Sequence, residues 1–298
     1  MKVLVTGASG LLGHDVWKVF DGKHELIGLG RTQPVFVPTA QWRPCDLTEA
    51  AKVYTIVTRE NPDLIVHCAA YNNVDGAESH PEEAYRQNTY GTRNLALACQ
   101  RFDTVLMAVS TDSVFGGDDP PEKGYREFDI PHPLGVYAHS KRWGEILVEQ
   151  LLTKFYIVRT SWLFGPGRPT FVDKALELAR DGKPVPCLED MVSSPTYTPD
   201  LAQAMCELAE SAHYGIYHLS NSGFCSRVDL IREVLKIHRI PEAGRVVPQT
   251  QAELKLPAKR PVFSGLECLA WALDGHPPLR SWKDALRAHF TPSKVTAL

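Results

Sequence analysis

The chain has 298 residues, 44% of them hydrophobic and 22% charged, with a formal net charge of −3. This composition suits a globular protein with a sizeable core, and the weak negative charge excludes a nucleic-acid binder built on a basic patch. No apolar run approaches the ~18–20 residues of a membrane span, and Met1-Lys2-Val3-Leu4-Val5 runs straight into a glycine-rich turn, so a cytoplasmic protein without a signal peptide is expected.

Val3–Thr6 reads as a strand and Leu12–Phe20 as a helix. Between them, Gly7-Ala8-Ser9-Gly10-Leu11-Leu12-Gly13 has GxxGxxG spacing. Backbone N–H groups at a helix N-terminus, approached past small residues, suit a pyrophosphate. A tight strand-to-helix turn without a ligand is the plainer alternative. Leu26–Leu29 is the next strand, followed by Gly30-Arg31-Thr32. An acidic residue there would favour NAD, whereas Arg31 and Thr32 suit a 2′-phosphate and so NADPH, with NADH as the alternative. A solvated surface arginine would read the same way. Asp46 and Leu47 are expected beside the adenine ring. Ala69, Ala70 and Tyr71, at the end of the apolar run Leu64–Ala70, are expected beside the cofactor groove.

Pro81–Gln100 has helical spacing, and Thr104–Ser110 is another covered strand. Its end, Ser110-Thr111-Asp112-Ser113, falls where open α/β sheets gather ligands. Within a predicted helix, Tyr137–Leu152, Tyr137 and Lys141 share one face because they are four residues apart. A free phenol titrates near ~10, and an adjacent ammonium would lower that value towards useful proton transfer at neutral pH. Thr111, Tyr137 and Lys141 form a candidate catalytic set, although Thr111 alone would read as an ordinary strand-end hydroxyl.

Tyr156–Thr160 continues a βαβ alternation that predicts an α/β fold, a doubly wound parallel sheet of Rossmann type with a smaller C-terminal substrate-binding lobe. Residues 1–164 are expected to form the dinucleotide-binding unit and 165–298 the lobe, with 195–220, including strand-like Gly215–Leu219, returning to the first unit. Helices are predicted over Phe171–Arg180, Pro199–Ser211, Arg227–His238 and Trp282–Phe290. Seven cysteines without CxxC spacing read as reduced thiols. The 11 histidines show no HxxxH pair, so no catalytic metal is expected.

Several segments, taken in order, resemble an extended short-chain dehydrogenase/reductase: Gly7–Gly13, Tyr71–Glu78, Ser110-Thr111-Asp112, Tyr137–Lys141, Arg159–Gly165, Ser194-Pro195-Thr196 before Asp200-Leu201-Ala202, and Arg260-Pro261 before Ser264. Within that group the chain is similar to the dTDP-4-dehydrorhamnose reductases over nearly its whole length. The resemblance implies NADPH-dependent reduction of a 4-keto nucleotide sugar. Tyr137 would protonate the carbonyl oxygen, Thr111 would polarise it, and Lys141 would bind the nicotinamide ribose and depress the Tyr137 pKa. Asp112, Ser113 and Trp162 would meet the substrate, Trp162 by stacking, although a core tryptophan is an equal reading. A homodimer is compatible with the resemblance. Ser113 stands where the family has tyrosine, Thr170-Phe171 where Asn-Phe is frequent, Met191 in place of glutamine and Ser194 in place of glycine. These departures leave two further readings open. One is a non-catalytic NADP-binding regulatory subunit like the methionine adenosyltransferase β subunit; the other is a nucleotide-sugar epimerase.

Overall fold

The computed structural model describes residues 1–117 and 119–291. In chain order the first eleven strands are β1 (Lys2–Thr6), β2 (Glu25–Gly30), β3 (Trp42–Pro44), β4 (Leu64–His67), β5 (Val105–Thr111), β6 (Phe155–Thr160), β7 (Leu163–Phe164), β8 (Val185–Leu188), β9 (Val192–Ser193), β10 (Thr196–Tyr197) and β11 (Gly215–His218). Seven of them form one sheet in the order β11-β6-β5-β4-β1-β2-β3, and every neighbouring pair is parallel. The chain winds outward from β1 to β3, then crosses back to β4 and winds the other way. The order therefore reverses between β1 and β4, where doubly wound sheets open a ligand crevice.

The principal helices are α1 (Leu11–Phe20), α2 (Ala50–Glu60), α3 (Val74–Ser79), α4 (Pro81–Tyr85), α5 (Thr92–Phe102), α6 (Val136–Leu151), α7 (Phe171–Arg180), α8 (Thr198–Ser211) and α9 (Arg227–Ile237). Strand side chains alternate between two apolar layers, as the pleat requires. Val3, Val5, Val66, Met107 and Val158 pack with α1 and α8, through Val16, Phe20, Leu201 and Met205. Leu4, Ile65, Leu106 and Ile157 face the other way, onto Val53 and Ile56 of α2, Leu95 and Cys99 of α5, and Val148 of α6. A third core, which includes Phe164, Val172, Leu176, Val228, Ile231, Trp282 and Leu286, gathers later segments outside the main sheet.

Three details differ from expectation. The strand starting at Leu64 ends at His67, because residues 68–70 leave the sheet to line the crevice. The run Pro81–Gln100 is interrupted by a π-helical turn, Arg86–Gly91, between α4 and α5; such turns often sit near functional sites. The short strand β3 and the helix α2 were not anticipated. β3 holds three residues, and Trp42 secures it by laying its ring on Gly28 of β2, where an added Cβ would lie 2.6 Å from that ring.

Glu145 of α6 and Arg159 of β6 form a buried, two-pronged ion pair, with Arg159 Nε 3.0 Å from Oε1 and Nη2 2.9 Å from Oε2. The Ser110 hydroxyl also donates to Glu145, and Arg142 Nη1 lies 2.9 Å from Oε2. Burial opposes ionisation of Glu145, but Arg159, Ser110 and Arg142 together hold its carboxyl below the usual range. Removing one partner strands the other charge. Arg159→Ala should therefore lower unfolding free energy by about 3–5 kcal/mol, measured by urea denaturation, while a joint Arg159→Met, Glu145→Leu replacement should lose much less.

Candidate active site

A cleft of about 940 Å³ opens at the carboxyl ends of the central strands. Gly7, just after β1, has φ +69°, and a Cβ there would lie 2.6 Å from the Ala69 nitrogen. A Cβ on Gly13 would run into the Gly7 carbonyl, so α1 can approach the strand only with glycine at that position. The Gly10 N–H donates to the Gly7 carbonyl at 2.8 Å, closing the turn. Ser9, Gly10, Leu11 and Leu12 line the cleft, and among the described residues no side chain caps the first turn of α1. Its N–H groups remain available to an anion.

At the other end of this half, Arg31 and Thr32 are exposed and line the cleft with Asp46 and Leu47. Burial works against the Asp46 charge, but the Thr48 N–H (2.9 Å) and hydroxyl, with Arg31 and Arg86, hold its carboxyl below the ordinary range. Ala69 and Ala70 line the wall as expected. Tyr71 does not. Its N–H and carbonyl are both taken by the Asn88 side chain, at 2.8 and 3.0 Å, which fixes the loop behind the wall. Asn88 sits in the π-helical turn and also donates to Ser140 Oγ of α6 at 2.9 Å. Its role depends on contacts remote in sequence and carries no local motif.

Thr111, Tyr137 and Lys141 converge in this same cleft. The electrostatics differ from the sequence expectation. Burial pushes the Tyr137 phenol up to about 12, the Asp112 charge adds to the rise, and the neighbouring Thr111 hydroxyl opposes it. Lys141 does not depress the phenol here. Its long side chain reaches past Tyr137 to β5, where Nζ donates to the Val109 carbonyl at 2.7 Å. Burial lowers the amine itself to about 8, against partial compensation from Glu145. Behind the site, burial and then the Lys141 charge push His67 down to about 3, so this ring is neutral. The Thr92 hydroxyl gives its proton to the Asn88 carbonyl at 2.6 Å. His67 Nε2 therefore donates to Thr92 (3.1 Å), and Nδ1 accepts from Thr6 (2.8 Å).

Asp112 lines the cleft, yet its carboxylate is already occupied. Oδ2 accepts from Ser161, Ser193 and Ser264 at 2.8, 2.7 and 2.6 Å, and Oδ1 from Thr111 at 3.1 Å. It ties the end of β5 to three later segments. Ser113 and Trp162 also line the cleft. Trp162 has φ +39°, a costly backbone state for a bulky residue. The Arg227 guanidinium lies 3.7 Å from the centre of its ring and 4.8 Å from that of Phe171. Burial lowers Arg227 to about 10, and it forms no ion pair among the described residues. Arg168, Lys174 and Arg260 line the same end, Arg260 already bound to Asp75 at 2.6 Å. Sequence reading missed Arg168, Lys174 and Arg227, which nothing local marks, and singled out Arg260 only within the Arg260-Pro261 segment. Of the departures noted above, Ser113, Thr170 and Met191 line the cleft, and Ser194 instead accepts the Leu266 N–H at 3.1 Å.

With this geometry in view, the family model described as the RmlD substrate binding domain matches residues 1–294. The chain belongs to this family. It is 38% identical to a dTDP-4-dehydrorhamnose reductase of Streptomyces griseus, over 96% of this chain and 92% of that protein. A second such reductase, from Mycobacterium tuberculosis, is 36% identical over 100% of this chain and 95% of its own length. The crystal structure of dTDP-4-dehydrorhamnose reductase from Bacillus anthracis in complex with NADP superposes with a TM-score of 0.88 at 33% identity, covering 97% of this chain and 98% of that one. The family extends across both halves of the cleft. No helix among the described residues is long and apolar enough to cross a membrane.

The Lys141 shift has a measurable sign. Between pH about 8 and the amine's ordinary 10.5, the unfolded chain binds more protons at residue 141 than the folded protein does, so this group's contribution to stability rises with pH. Lys141→Met should flatten the pH dependence of the urea midpoint across that window.

Proposed function

We propose that the protein uses NADPH to reduce the ketone of a 4-keto nucleotide sugar, dTDP-4-dehydrorhamnose being the first substrate to test. One observation carries the reading: Thr111, Tyr137 and Lys141 meet in a single cleft that joins an anion-binding glycine turn to the cationic end around Arg227. The turn fits a dinucleotide, since the space a Cβ would fill at Gly7 and Gly13 is already taken by backbone. Gly7, Ser9, Gly10, Leu11, Leu12 and Gly13 would hold its pyrophosphate. Arg31 and Thr32 would hold the 2′-phosphate, Asp46 and Leu47 the adenosine, and Ala69 and Ala70 the groove wall. When bound, NADPH supplies the hydride.

The chain's own residues supply the rest. Thr111 donates a hydrogen bond to the sugar carbonyl and Tyr137 gives the same oxygen a proton as charge develops there. Burial keeps the phenol protonated at neutral pH, which is the form an acid needs. An alkoxide is far more basic than a phenolate, so transfer runs downhill even from a raised phenol. Lys141 binds the nicotinamide ribose and moves its ammonium towards the phenolate left behind. Arg227, a stacked cation with no ion-pair partner among the described residues, offers its N–H groups to the substrate's diphosphate. Trp162 would stack on the substrate and Ser113 would border the sugar; having serine and Met191 here makes sugar identity the property most open to change. We place the enzyme in a reducing cytoplasm, as its seven free cysteines suit, and a homodimer is the assembly to test by light scattering.

Tyr137→Phe should cut NADPH oxidation by about 10²-fold or more while NADPH binding by fluorescence stays near wild type; unchanged turnover would remove Tyr137 as the acid. Arg31→Ala should raise KM for NADPH far more than for NADH, and equal effects would show that Arg31 does not read the 2′-phosphate. NADPH binding without turnover of any 4-keto nucleotide sugar, together with a co-purifying enzyme partner, would support the regulatory-subunit role instead.

A further inference from the structure

We propose that His24, Cys206 and Glu210 form a binding site for a divalent cation of zinc type, outside the cleft and independent of the reductase reading. His24 lies in the turn before β2, while Cys206 and Glu210 stand one helical turn apart on α8, so both project from the same face. His24 Nε2 is 3.9 Å from Cys206 Sγ and 3.7 Å from Glu210 Oε1, and all three donor atoms lie within 4.8 Å of one another. Tetrahedral zinc with Zn–N, Zn–O and Zn–S bonds of about 2.0–2.3 Å places its ligands roughly 3.3–3.7 Å apart. Closing the observed distances to those values takes side-chain movements of a few tenths of an ångström at His24, and somewhat more for the thiol and carboxylate.

The imidazole turns Nε2 towards the other two donors. The His24 side chain is 6% exposed, packed against the Phe20 ring at 5.4 Å. Its Nδ1 has no hydrogen-bond partner among the described residues, and Nε2 meets the Glu210 carboxylate and the Cys206 thiol. A metal at Nε2 would replace those two long contacts with direct bonds and leave the ring's proton on Nδ1. The donor set of thiolate, imidazole and carboxylate is one that zinc favours over magnesium or calcium. Lys23 Nζ, 3.8 Å from Cys206 Sγ, is the competing group; its residue is exposed and free to swing into solvent as the thiol gives up its proton. Glu210 is 56% exposed, so the fourth position would be open to water.

The expected role is a structural clamp. His24 and Cys206 are remote in sequence, and a shared ion would pin α8 to the start of β2 beside the α1–α8 packing. The loss of that clamp would be felt in stability, with the cleft chemistry untouched.

The test uses the full-length protein after chelator treatment and gel filtration. Added zinc should be retained at about one ion per chain by elemental analysis and should raise Tm. Cobalt(II), used as a probe, should produce a thiolate charge-transfer band in the near ultraviolet. Cys206→Ser should abolish that band and weaken zinc retention about tenfold or more, in line with the loss of a direct ligand. Glu210→Gln should weaken retention while keeping the band, and both variants should keep wild-type NADPH turnover. Since Cys206→Ser preserves shape, and Glu210 is at the surface, a folded variant is available even if His24→Ala fails to fold. Absence of retained zinc and of the cobalt band in the wild type, or equal retention by wild type and Cys206→Ser, would overturn the proposal.

Discussion

The placement of the acid depends on one buried ion pair. Tyr137, Lys141 and Glu145 lie at successive four-residue steps along α6, so they share a face. Glu145 is held by Arg159 of β6 and Ser110 of β5, and those bonds fix how α6 is rotated and how far along the sheet it sits. A helix held only by apolar contacts could slide or roll by fractions of an ångström with little penalty. A two-pronged carboxylate–guanidinium pair in a buried site tolerates little of either. Once it is made, the phenol has one place to go, beside Thr111 at the end of β5.

A second carboxylate connects this scaffold to the later part of the chain. Asp112 gathers hydroxyls from Ser161, Ser193 and Ser264, which lie far apart along the chain. Neutral donors satisfy its oxygens without cancelling its charge, which explains why it also raises the Tyr137 pKa. The same charge also pushes the nearby Arg227 up, where it favours the ionised form and partly offsets the lowering by burial. One residue thus joins the two walls of the cleft and sets part of its electrostatic field.

Tyr137 and Lys141 illustrate how burial and charge compete. The four-residue spacing is right for contact, yet spacing says nothing about where a four-carbon side chain ends. The ammonium finds the Val109 carbonyl, and dehydration then dominates both groups, raising the phenol and lowering the amine. Both shifts favour the neutral forms, as expected for groups removed from water without a mutual partner. A ligand that draws the amine away from Val109 would change that balance.

Much of this protein is written locally. The alternation of apolar strands with amphipathic helices determined a doubly wound parallel sheet, and the glycine turn, Arg31, and the Tyr137–Lys141 step marked the cleft, because periodicity and turn chemistry act over a few residues. Short elements escaped for the same reason: β3 has three residues and is held by its Trp42 packing onto glycines of another strand. Only the tertiary structure decided that Asn88 would hold Tyr71 behind the wall, that Arg227 would stack on Trp162, that Asp112 would collect three distant serines, and that Glu145 would find Arg159. Those pairings join residues whose separation along the chain carries no pattern, and they exist because burial forces each polar group to meet whichever partner the packing of the sheet and helices brings within reach.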